Sequence, residues 1–108
     1  MDNKTFAVLW GEALAANDRD VYVSEWSTSS VFPEDSDVLI NAEIVGRIWD
    51  VAHMSVQQIV EASGLRRTAF AERFGVPYRT LTNWCRGERE CADYTRLMMA
   101  ELLGLVER

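Results

Sequence analysis

Phe70-Ala71-Glu72-Arg73-Phe74-Gly75-Val76-Pro77-Tyr78-Arg79-Thr80-Leu81-Thr82-Asn83-Trp84-Cys85-Arg86-Gly87 is the stretch that decides the fold. Its pattern is that of two short helices packed at a steep angle. Ala71 is small enough to let them approach, Gly75 supplies a tight turn, and Val76, Leu81 and Trp84 plug the junction. Pro77 suits the first position of the second helix, where its missing N–H costs nothing. Gly87 ends that helix. Its outer face then carries Tyr78, Arg79, Thr82, Asn83 and Arg86, side chains able to reach base edges or phosphates.

Working outward, the punctuation on both sides is equally sharp. Ser55-Val56-Gln57-Gln58 reads as a capping box, with Ser55 accepting from the Gln58 amide while Gln58 reaches back. The helix it opens carries Val56, Ile59 and Val60 and ends at Gly64 in the left-handed conformation. The next helix, about Arg67 to Phe74, buries Phe70 and Phe74. A last helix, about Ala92 to Leu103, offers Leu97, Met98 and Leu102 before Gly104. Four short helices separated by single glycines leave no room for long loops.

Residues 55–103 resemble a lambda-repressor-like (Cro-type, XRE-like) helix-turn-helix domain. The resemblance is carried by Ile59, Leu65, Phe70, Ala71, Gly75, Val76, Leu81, Trp84 and Gly87, and covers about half of the chain. It implies a sequence-specific DNA-binding transcriptional regulator, a repressor acting as a dimer on double-stranded DNA. Base-reading positions then fall at Tyr78, Arg79 and Asn83, with Thr80 and Thr82 flanking. Arg79 is the foremost, as a bidentate partner for guanine. Arg67, which opens the scaffold helix, and Arg86 and Arg89, which flank the following loop, would hold phosphates. Three departures stand against the family pattern. Its paired Arg and Glu become Val60 and Cys85, a self-consistent apolar replacement. Arg66 sits where a polar cap is usual and cannot accept from an amide. Glu88 and Glu90 lie in the phosphate-facing loop.

Charge tells the same story once it is divided. The 108-residue chain is 48% hydrophobic and 26% charged with a net charge of −6, which on its own argues against nucleic acid. Residues 1–54 hold three basic and ten acidic side chains, a balance of −7. From Arg66 to Arg96 seven arginines face Glu72, Glu88, Glu90 and Asp93, a balance of +3. Asymmetry of this kind points to a nucleic-acid contact on one side.

The N-terminal segment, residues 1–54, reads as mainly helical. Phe6, Leu9, Trp10, Ala13 and Leu14 recur at helical spacing up to Asn17-Asp18. Asp20 to Trp26 alternates loosely and predicts one short strand; Ser27 to Pro33 predicts loop. Ser36 or Asp35 is expected to cap a helix whose apolar set is Ile40, Ile44, Val45, Ile48, Trp49 and Ala52. The fold class is therefore all-α, with an acidic N-terminal extension (1–54) and a helix-turn-helix domain (55–108). The extension carries more apolar surface than two isolated helices could hide. It is expected to pack on the C-terminal bundle, on itself or on a partner chain, in a covering or dimerising role.

No catalytic, metal or cofactor site is legible. One histidine, His53, builds neither a triad nor a zinc site, and reads as a hinge or surface residue. Cys85 and Cys91 read as one packed thiol and one loop residue. No apolar run approaches the ~20 residues that span a bilayer, and Met1-Asp2-Asn3-Lys4 does not resemble an export signal, so a cytoplasmic, non-enzymatic protein is expected. The alternative functional reading is a protein–protein adaptor, or an antitoxin-like protein, that uses the helix-turn-helix as a scaffold.

Overall fold

A computed structural model describes all 108 residues and contains seven helices and no strand. They are α1 (Asn3–Ala15), α2 (Arg19–Ser27), α3 (Val38–Ala52), α4 (Val56–Ser63), α5 (Arg67–Phe74), α6 (Tyr78–Arg86) and α7 (Asp93–Leu102). The chain divides into two compact units, Met1–His53 together with Arg108, and Met54–Glu107. None of the helices is long and apolar enough to cross a membrane.

In the first unit α1 and α2 both pack on α3. Asp2 caps α1 by accepting from the Thr5 amide at 2.7 Å, and these bonds hold its carboxyl below the usual carboxylate range. Phe6, Leu9, Trp10 and Ala13 form the buried stripe of α1. Side chains from the other helices then take its carbonyls. Tyr22 Oη donates to Leu9 O at 2.8 Å, Trp49 Nε1 donates to Ala16 O at 3.0 Å, and His53 Nε2 lies 2.7 Å from Ala13 O. His53 is thus the exposed C-terminal cap of α3, stacked on Trp49 with ring centroids 4.0 Å apart.

The strand expected at Asp20–Trp26 is a helix. Asp18 supplies the start, its carboxylate accepting from the Val21 amide at 3.1 Å. The buried and half-buried positions are Tyr22, Val23, Trp26 and Ser27, a helical spacing rather than a strand's period of two. A lone strand would also have had no partner for its backbone groups. The expected cap of α3 shifts too: Asp37, not Ser36 or Asp35, accepts from the Leu39 and Ile40 amides at 2.8 and 3.4 Å. Ser36 Oγ instead donates to Pro33 O and accepts from the buried Asn41 Nδ2. Of the apolar set expected inside α3, Val45, Ile48 and Ala52 are buried and Trp49 is half-buried, whereas Ile40 and Ile44 face outward.

In the second unit Val56, Ile59, Val60, Phe70, Ala71, Leu81 and Met99 form one core cluster, flanked by Leu65, Phe74, Val76, Trp84, Cys85 and Cys91. The Ser55–Gln58 capping box is present in both directions, at 3.1 and 2.9 Å. Gly64, Gly75, Gly87 and Gly104 all take positive φ. At Gly75 this closes a Schellman turn, in which the Val76 amide donates to Ala71 O and the Gly75 amide to Glu72 O. On α7 the buried face is Leu97, Met99 and Ala100, so Met98 and Leu102 point outward, opposite to expectation.

Candidate nucleic-acid interface

The three residues Gly75, Val76 and Pro77 separate α5 from α6. α6 is fixed by Leu81, which is fully buried, and by Trp84 and Cys85, which pack on the same cluster. With that side anchored, the positions one and two turns apart on the other side, Arg79, Asn83 and Arg86, face outward. Neither α5 nor α6 has a side-chain cap at its start, where Arg66 and Pro77 stand, so the first amides of both helices lack a side-chain acceptor.

Arg79, Thr80, Asn83 and Arg89 line one open groove of about 460 Å³. Arg89 lies outside the helix, and backbone chemistry brings it there. Gly87 turns left-handed at φ 75, and the amides of Gly87, Glu88 and Arg89 fold back on the Asn83 carbonyl, the latter two at 3.0 and 3.4 Å. Arg79, Arg86 and Arg89 are exposed and hold no ion pair. Glu88 and Glu90 are exposed on either side of Arg89.

The other expected residues are distributed differently. Tyr78 is half exposed at 51% and lines a second groove with Thr68, Glu72 and the turn residues. Thr82 Oγ1 is enclosed by protein and finds no hydrogen-bond partner. Arg67 is half-buried, donates from Nη2 to Gln57 Oε1 at 3.1 Å, and reaches the Cys85 thiol. Gln57 in turn donates to Glu61 at 2.9 Å, so Arg67 joins α4, α5 and α6. Burial pushes both free thiols, Cys85 and Cys91, above their usual range, with Arg67 and Arg96 opposing the shift.

Not all seven arginines of the basic window are available to a ligand. Arg96 donates to Met54 O and to Asp93 Oδ1, both at 2.6 Å, and Arg73 reaches Leu102 O at 3.5 Å while lying over the Phe74 ring. Two features had no recognised signal in sequence: the Asn83 carbonyl clamp and the Gln57–Arg67 link. Gln57 and Glu61, one turn apart on a helix, were the available hint of the latter. Comparison with protein-family models, with curated proteins and with solved structures gave no match.

Proposed function

We propose that residues 55–103 form a lambda-repressor-like helix-turn-helix unit, with α5 as scaffold and α6 as recognition helix, in a sequence-specific DNA-binding regulator. The observation that carries this is the groove on α6, where two unpaired guanidiniums, an amide and a hydroxyl converge. Arg79 is suited to a bidentate contact with guanine and Asn83 to one with adenine. Arg89 and Arg86 serve phosphates. Arg67 acts by bracing the two helices, and Tyr78 contacts DNA from the turn side. Thr80 stays a flanking contact, while the enclosed Thr82 hydroxyl gives none. The protein acts as a cytoplasmic repressor and as a homodimer. One such unit buries only about 600–1,000 Å² on DNA, and two-fold pairing on half-sites a helical turn apart supplies the missing specificity.

Selection from a randomised duplex pool, followed by anisotropy titrations at several salt concentrations, tests this. An enriched inverted repeat is expected, bound more weakly as salt rises. Arg79→Ala costs about 1–3 kcal/mol on the enriched site and relaxes preference at one base pair. Arg89→Ala weakens all duplexes alike and lowers the salt slope by about 0.9. No enrichment, together with no retention of any duplex at low salt, refutes the reading and leaves the adaptor alternative.

A further inference from the structure

The outer face of α3 begins with three consecutive exposed apolar residues, Val38 at 48%, Leu39 at 77% and Ile40 at 55%, continued one turn on by Ile44 at 37%. An apolar patch of this kind on one helix is a surface that expects to be covered. Beside it lies a groove of about 320 Å³ lined in part by Phe32, Pro33, Glu34 and Val38, so the apolar surface runs on from the helix into a depression.

The rim decides what covers it. Glu34, Asp35 and Asp37 are exposed just before and at the start of the helix, and exposed Glu43 stands between the two turns of the patch. Arg47, at the far end, is the single basic residue of α3. A second copy docking the same face would bring this net acidic rim, four carboxylates to one arginine, against an identical one, and like net charge opposes association. An anionic lipid surface is disfavoured by the same repulsion. An occupant with an apolar stripe flanked by lysines or arginines satisfies both the centre and the rim.

We propose that the α3 face around Leu39 and Ile40 is a docking site for a basic amphipathic helix of another protein. The assignment rests on the first unit alone and stands or falls independently of DNA binding. The full chain is titrated calorimetrically with three synthetic peptides: a helical leucine/lysine peptide with its leucines in one stripe, the same stripe with glutamates for lysines, and a scrambled leucine/lysine peptide. Binding of the first, weakened by salt, with little or none of the other two, is the expected result. Leu39→Ser with Ile44→Ser reduces that binding at least about tenfold. Glu43→Gln with Glu34→Gln weakens it and flattens its salt dependence, while Met98→Ser, an exposed apolar position elsewhere, leaves it unchanged. Far-UV circular dichroism confirms that the variants are folded, and the Glu→Gln pair leaves the apolar patch intact. Equal binding of the glutamate or scrambled peptide overturns the proposal, as does indifference to either α3 variant. So does a Leu39-dependent dimer in sedimentation, or Leu39-dependent retention by phosphatidylserine vesicles.

Discussion

Two glycines with equally empty surroundings should respond in opposite directions to the same substitution. A Cβ added at Gly75 or at Gly11 would meet nothing within 4 Å, so steric crowding drops out of both comparisons. What remains is the backbone. Gly75 ends α5 at φ +65, a region that costs an L-residue about 1–2 kcal/mol. The narrower unfolded ensemble of alanine returns roughly 0.4–1 kcal/mol of this. Gly75→Ala should therefore lose about 1 kcal/mol. Gly11 lies inside α1, exposed and without positive φ, where alanine is better than glycine by about 0.5–1 kcal/mol. Gly11→Ala should gain that amount. Urea unfolding followed by far-UV circular dichroism reads both, as midpoint shifts at unchanged slope. A D-alanine introduced at position 75 by semisynthesis should be at least as stable as the parent. A neutral or stabilising L-alanine at 75 would refute the left-handed turn that joins α5 to α6. A destabilising alanine at 11 would refute an uncovered α1 surface there.

Two further substitutions probe the first unit. Tyr22→Phe removes the bond to Leu9 O and should cost about 1 kcal/mol at neutral pH. Burial, with Glu12 nearby, raises the Tyr22 pKa, so its contribution is present below the ordinary tyrosine value of about 10 and is lost as pH climbs past it; the phenylalanine variant should show a flatter alkaline limb in pH-dependent melting. Gly46→Ala would place its Cβ 2.6 Å from Arg19 Nη2 and push the guanidinium off Asp50, which it now grips at 2.8 and 3.1 Å. The exposed pair contributes at most about 1 kcal/mol, so the change should be near neutral alone and clearly stabilising in an Asp50→Asn background, a non-additivity that a double-mutant cycle measures.

The second unit was more legible in sequence than the first because its helix ends are written in side chains. Ser55 with Gln58 forms a reciprocal cap, and glycine at 64, 75, 87 and 104 admits the left-handed helix ends that other residues resist. Asp18 and Asp37 do the same work at α2 and α3, but each has other polar or acidic residues close by that could serve equally well on paper. Val21 and Val23 suggest a strand, and the Asp18 cap together with the packing of Tyr22 and Trp26 decides against it. Periodicity located the stripes of α3 and α7 without fixing which of two neighbouring stripes turns inward. Small or polar residues, Asn41, Gly46 and Ala100, take inner positions that a hydrophobicity pattern assigns to Ile40, Ile44 or Met98. At the groove, Arg79 and Asn83 follow from helical spacing. Arg89 does not, because a main-chain oxygen holds it in place and no side chain announces that.

That main-chain oxygen has a mechanical consequence. Three amides beyond the end of α6 converge on the Asn83 carbonyl, so the segment carrying Arg89 is tied to the helix rather than trailing from it. The spacing between the Arg79 and Arg89 main chains is then fixed, while each exposed guanidinium still moves on its own flexible side chain. Under the proposed DNA-binding reading, less loop entropy is lost on binding, because the main chain around Arg89 is already ordered.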